Sequence, residues 1–193
     1  MQLVDTHLHL YAEEFHEDRK QVIDAALQNG VTKMLLPNID SSTVHSMMQI
    51  CHDYAENCYP MMGLHPCYVN DTYAKELKHV EAELKSGKYY GVGEIGMDKY
   101  WDLTHIKEQT IVLKQQLVWA YEMELPVALH TRNCTSDVIQ IIQELNISGL
   151  KGIFHCFGGS MEEAQQIIDM GMYLGIGGVV TFKNRGLDEI IKK

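Results

Sequence analysis

Near the start of the chain two imidazoles lie two residues apart, in Asp5-Thr6-His7-Leu8-His9 within the apolar run 4–10. Alternate residues of a β-strand point to opposite faces. A strand here sends Asp5, His7 and His9 to one side and Val4, Thr6, Leu8 and Leu10 to the other. Imidazoles so placed reach a common point, and neutral imidazole is a ligand for divalent metals. The alternative is a pair of hydrogen-bonded core histidines. Four later apolar runs weigh against it, because each stops at a potential ligand: 60–64 at His65, 89–93 at Glu94, 126–129 at His130 and 152–154 at His155. Glu94 is the hardest to explain as core, since a buried glutamate without a partner is rare.

These residues need elements that bring them together. Short apolar, β-branched runs begin near residues 3, 31, 59, 89, 125, 151 and 172. Between them apolar residues recur at helical spacing. Helices are predicted over 17–29, closed by Gly30; from Ser41-Ser42, with Val44, Met47, Met48 and Cys51 inward; and from Asp71-Thr72 to Ser86-Gly87. A long fourth helix is predicted over 105–124, capped by Thr104, with Ile106, Leu113, Leu117 and Tyr121 as its buried stripe. Others follow over 135–145, 161–170 and from Asp188 onward. Strand alternating with helix predicts a parallel sheet, either doubly wound or a (β/α)8 TIM barrel. No GxGxxG follows the first strand, so a dinucleotide-binding version lacks support. No linker breaks the pattern, and 1–193 reads as a single domain.

In both folds the C-terminal strand ends share one face, where active sites sit. His7, His9, His65, Glu94, His130 and His155 therefore converge. A nitrogen and oxygen set suits magnesium, zinc or manganese. Five or more ligands are too many for one tetrahedral ion with an open position, whereas two ions about 3.5–4 Å apart use them well. A carboxylate has two oxygens, so Glu94 is the bridge. His7 and His9 then hold one ion, and His130 and His155 the other.

Charge and cysteine usage bound the function. The net charge is −10, which excludes a nucleic-acid binder that works by broad neutralisation of phosphates. Any phosphate chemistry must rest on metal ions and local cations; Arg132, Lys183 and Arg185 follow strand ends on the catalytic face. The five cysteines form no CxxC pair and read as reduced thiols. No apolar run is long enough to cross a membrane, and Asp5, His7 and His9 stand where a signal peptide needs an apolar core, so a cytoplasmic protein is expected.

The segments Val4-Asp5-Thr6-His7-Leu8-His9, Gly93-Glu94-Ile95-Gly96-Met97-Asp98, 126–132 ending in His130-Thr131-Arg132, and His155-Cys156-Phe157-Gly158-Gly159 resemble the TatD-type metal-dependent deoxyribonuclease family. The segment 177–183 is also similar, and the likeness runs through the whole chain in order. It implies an amidohydrolase-type (β/α)8 barrel and divalent-metal hydrolysis of DNA phosphodiester bonds, often from the 3′ end of a single strand. It implies the same division of ligands between two ions. Separately, His65 and Arg132 are expected to contact the substrate. Two departures stand out. His65-Pro66-Cys67 replaces the family's His-Pro-His. The family's catalytic aspartate, in an eighth strand, is expected beyond Lys193, since Asp188 and Glu189 lie in the presumptive last helix. The chain is therefore expected to be truncated after the seventh strand, leaving two open sheet edges. A small-molecule amidohydrolase or lactonase, and a metal-binding fragment without catalysis, are the alternatives. The first often bridges its ions with a carboxylated lysine, and Glu94 at that position favours the nuclease. No membrane and no protein partner is expected. Asp5 is expected to give hydrogen-bonding support rather than ligation.

Overall fold

Apolar runs of two to seven residues, too short for stable helices, pair as strands, and the amphipathic stretches between them fold back over the sheet. The computed structural model describes residues 2–182 and 186–192. The order is β1 (Leu3–Asp5), α1 (Arg19–Gln28), β2 (Val31–Pro37), α2 (Val44–Asp53), β3 (Cys58–Met61), α3 (Tyr73–Lys85) and β4 (Val92–Asp98). Then come α4 (Ile106–Glu122), β5 (Val127–Arg132), α5 (Thr135–Leu145), β6 (Gly152–Phe154), α6 (Met161–Asp169), β7 (Tyr173–Leu174) and α7 (Leu187–Ile191).

All the strand pairs are parallel and join neighbours in sequence: β1-β2-β3 and β4-β5-β6-β7. A bridge between Met62 and Val92 links the two sets into one arc. This is the strand order of a (β/α)8 barrel. Among the described residues β1 pairs only with β2 and β7 only with β6, so the arc is open. Exposed Leu3 and Val4 mark one edge and exposed Tyr173 the other. No described helix is long and apolar enough to cross a membrane.

The helix that most affects the site is α4, and its buried face differs from the expected one. Leu113 and Leu117 are fully buried, but Tyr121 is exposed and the inward row includes Gln109 and Gln116. These amides face the sheet because strand ends there need partners. Gln116 Oε1 accepts the Leu64 N–H at 2.7 Å and its Nε2 donates to the Leu64 carbonyl at 3.3 Å. Gln109 Oε1 accepts the Asp98 N–H at 2.9 Å. Buried backbone groups left unpaired would each cost about 1–3 kcal/mol. Thr104 is not the cap: its hydroxyl and N–H both donate to Asp102 Oδ1, at 2.6 and 2.8 Å. α6 opens on a reciprocal capping box between Ser160 and Glu163.

Candidate metal centre

The strand-end residues arrive by routes that the simple alternation misses in detail. β1 stops at Asp5, because the Asp5 carboxylate accepts the His7 N–H at 3.1 Å and turns the chain off the ladder. Pairing resumes only at Leu8, whose N–H donates to the Leu35 carbonyl at 3.1 Å. His7 and His9 thus sit beyond the strand, not in it, and still converge. β4 does not end at Glu94. It pairs with β5 as far as Asp98–Arg132, and Glu94 lies in an irregularity between Val92 and Ile95, with its N–H donating to the Asn38 carbonyl at 2.9 Å. His130 is likewise inside β5. His155 directly follows β6. His65 heads the 3₁₀ turn Pro66–Tyr68, four residues past β3. Gly96 permits the close approach of β4 and β5: it pairs with His130, has φ +148°, and a Cβ there would lie 2.0 Å from the His130 carbonyl oxygen.

Glu94 is 1% exposed and is ringed by imidazoles. Its Oε2 lies 3.0 Å from both His7 Nε2 and His9 Nε2. Its Oε1 lies 2.7 Å from His155 Nε2, 2.9 Å from His130 Nδ1 and 3.4 Å from His65 Nε2. The His7 and His155 rings stack at 3.7 Å between centroids, closing the two halves on each other. The ligand atoms of His7, His9 and Glu94 fall within 4.8 Å of one another, as do those of Glu94, His130 and His155.

Hydrogen bonds on the far sides of the rings fix which nitrogens carry protons. The Tyr11 hydroxyl donates to the Pro37 carbonyl, so it accepts from His9 Nδ1 at 2.8 Å and leaves the His9 Nε2 lone pair facing Glu94. His130 Nε2 donates to Asp98 Oδ2 at 2.8 Å and leaves its Nδ1 lone pair facing Glu94. Lone pairs pointing at a carboxylate need a positive charge between them, either a proton or a metal ion. At His7 and His65 protons serve poorly. Burial pulls His7 down to about 4 against the Glu94 hydrogen bond, and pulls His65 down as well. For His130 burial is outweighed by Glu94 and Asp98, and its pKa is raised. Burial pushes Glu94 upward, but hydrogen bonds from His130, His155, His65 and His7 prevail and hold it well below the carboxylate range. An ionised carboxylate ringed by imidazoles is a donor set that fits divalent cations.

A third grouping, His65, Cys67 and His130, is less prepared. His65 Nδ1 accepts the Cys67 N–H at 3.1 Å and His130 gives Nε2 to Asp98, so few lone pairs are free. The neutral His65 ring therefore carries its proton on Nε2, where it is a hydrogen-bond donor toward Glu94.

Asp98, 1% exposed, had no role in the sequence reading. Its place four residues after Glu94 on one strand face was the available signal. Its second oxygen, Oδ1, accepts the N–H groups of Tyr100 and Trp101 at 2.8 and 3.1 Å. Arg132 ends β5 with its guanidinium carbon 3.7 Å from the Tyr100 ring centroid. A cavity of about 710 Å³ opens beside the centre, lined by His130, Arg132, His155, Cys156 and Phe182 among others. Lys183 and Arg185 lie outside the described residues. Asp188 and Glu189 stand on α7, where both pair with Lys192.

Comparison with known proteins bears on the family and the fold. The chain is 34% identical over 192 residues to the metal-dependent hydrolase YabD of Bacillus subtilis, covering 99% of this chain and 75% of the relative. It is 29% identical over 187 residues to the 3'-5' ssDNA/RNA exonuclease TatD of Citrobacter koseri, covering 96% and 71%. The crystal structure of YJJV, a TatD homolog from Escherichia coli K12, superposes with a TM-score of 0.87 at 27% identity, covering 99% of this chain and 74% of that one. The model of the family described as TatD related DNase matches residues 4–193, through every element that carries a histidine or carboxylate of the centre. The chain therefore belongs to the TatD related DNase family.

Proposed function

We propose that this chain is a metal-dependent nuclease that hydrolyses phosphodiester bonds of DNA, working from the 3′ end of a single strand. We place two divalent ions, drawn from magnesium, manganese and zinc, in its centre. His7, His9 and Glu94 hold one, and Glu94, His130 and His155 the other. The observation that carries the reading is the position of Glu94: one oxygen faces one histidine pair at 3.0 Å, and the other faces the second pair at 2.7 and 2.9 Å. Bound there, the ions would lower the pKa of a water and neutralise charge on a phosphate oxygen. The chain's own groups orient the substrate. Arg132 meets a phosphate, and His65 offers its Nε2–H at the edge of the centre. Asp98 keeps the His130 proton on Nε2. The name of the Citrobacter koseri relative supports the substrate class and polarity. Residues 1–193 act as one hydrolase domain. Its place is the cytoplasm, which agrees with five free cysteines, and no protein partner is invoked.

The test is digestion of 3′- and 5′-labelled single-stranded DNA after chelation and readdition of each metal, with RNA, lactone and amide substrates run alongside. Loss in chelator, recovery with a divalent ion and shortening from the 3′ end are the expected results. Full activity in excess chelator, or turnover confined to lactones or amides, rejects the reading. Glu94→Gln is expected to lose both ions; unchanged metal stoichiometry would refute the bridge.

A further inference from the structure

The turn after β4 carries Tyr100 and Trp101, 52% and 69% exposed, with their rings edge to face at 4.8 Å. Neither ring serves the core. What the fold requires of these positions is their N–H groups, which donate to Asp98 Oδ1, and any side chains would provide those. The same Asp98 accepts from His130 through its other oxygen. Two hydrogen-bonded links thus hold an exposed aromatic pair at a fixed offset from a histidine of the metal centre. Trp101 also lines a small cleft with Cys67 and Asp98, which brings it against the His65 turn.

Arg132 completes the arrangement. It lies two residues past His130 on the same strand, with its guanidinium carbon 3.7 Å from the Tyr100 centroid and 5.0 Å from that of Trp101. Among the described residues no carboxylate lies within 4.0 Å of this guanidinium; the neighbouring cation Lys99 is instead bound to Asp137 at 2.6 Å. Arg132 therefore keeps its charge for an incoming anion; it covers one face of Tyr100, and the exposed indole of Trp101 beside them offers a π-face. In a protein of net charge −10, nucleic acid cannot be retained by a general positive field. Base stacking on aromatic side chains does not depend on that field and tolerates any sequence.

We propose that Tyr100, Trp101 and Arg132 form a stacking site for an unpaired nucleobase of single-stranded nucleic acid, held in register with the metal centre by Asp98. The proposal rests on the nuclease reading above and names the substrate feature recognised: the base, not only the phosphate. A duplex end, whose bases are already stacked, is disfavoured there.

The test compares binding of two oligonucleotides of equal length with hydrolysis-resistant backbones, one carrying bases and one abasic, to the full metal-loaded chain. The wild type is expected to bind the base-bearing strand about tenfold more tightly. Trp101→Ala is expected to bring the ratio close to one, and Trp101→Phe to retain most of it. Emission from Trp119, 8% exposed, reports that Trp101→Ala is folded. A wild-type ratio near one, an unchanged ratio in Trp101→Ala, or equal loss in Trp101→Phe overturns the proposal. Turnover of bis(p-nitrophenyl) phosphate by the wild type, which has no nucleobase, reports on the nuclease reading separately. Its absence with every metal sinks that reading while a base preference keeps the stacking site. Its presence without base preference does the reverse.

Discussion

Asp98 Oδ2 accepts the His130 Nε2 proton at 2.8 Å, on the opposite side of the ring from the nitrogen that faces Glu94. The carboxylate stays ionised there: burial pushes its pKa up, but the His130 bond and the Tyr100 and Trp101 N–H groups bring it below the usual range. An ionised acceptor fixes both the ring's tautomer and its orientation.

Asp98→Asn keeps the shape but can present an amide N–H to the imidazole. His130 then accepts on Nε2 and places its proton on Nδ1, where an ion needs the lone pair. Affinity for the ion at His130 and His155 is expected to fall about 10–100-fold, with the ion at His7 and His9 less affected. Competition against a chromophoric chelator measures both. Equal affinities in variant and wild type would remove Asp98 from the site.

The strand order and the convergence of the candidate ligands were legible because His65, Glu94, His130 and His155 each close an apolar run, and parallel topology puts such ends on one face. Strand bounds were less legible. β4 continues past a charged Glu94 because its whole length, Val92–Asp98, is buried, so polarity could not mark its end. Asp98 was hidden by the same error. The inward face of α4 was misread for a related reason. Gln109 and Gln116 are polar by type, yet they face the sheet to satisfy the backbone of Asp98 and Leu64, a demand set by distant residues. The aromatic turn follows from Asp98 and was equally out of reach.

The metal-free protein should lose stability on mild acidification. Burial lowers His7 to about 4 from an ordinary value of 6.5. Between those values the unfolded chain binds a proton that the native ring refuses, so stability rises with pH across the window and falls as pH is lowered. The full effect is up to about 3 kcal/mol. His65, also lowered, adds in the same direction. His130, whose pKa is raised, contributes stability that is fully present below pH 6.5 and lost above it, outside this window. Urea midpoints in chelator from pH 4 to 7 should show the slope, and His7→Asn should flatten it. A flat wild-type profile would contradict the burial argument.

The thiols should react unequally. Burial pushes Cys51 and Cys134 up to about 12 and Cys58 up to about 11. Cys67 is also pushed up to about 12, by desolvation first and then by Asp98. At pH 8 such groups are thiolate in about one molecule per thousand or fewer. Cys156 is exposed. A disulfide reagent should titrate one fast thiol in the native protein and five in denaturant, and Cys156→Ser should abolish the fast phase. Fast labelling that survives that substitution would place the reactive thiol elsewhere.

Gly96 is the position where one methyl group should disturb the centre most. Its φ of +148° suits glycine, and an added Cβ would lie 2.0 Å from the His130 carbonyl oxygen, a backbone atom that no rotamer change can move. Relief requires β4 and β5 to separate between Glu94 and His130. Strain and overpacking together are expected to cost roughly 2–5 kcal/mol in Gly96→Ala. Gly87→Ala is the matched control: its φ is +73°, but nothing lies within 4 Å of the new Cβ, so only the backbone term of about 1–2 kcal/mol remains. Urea midpoints give the difference, and metal titration shows whether it reaches the site. Because the clash displaces the two strands that carry Glu94 and His130, Gly96→Ala should weaken metal binding while Gly87→Ala leaves it unchanged; equal effects would mean that the contact between β4 and β5 does not set the spacing of the ligands.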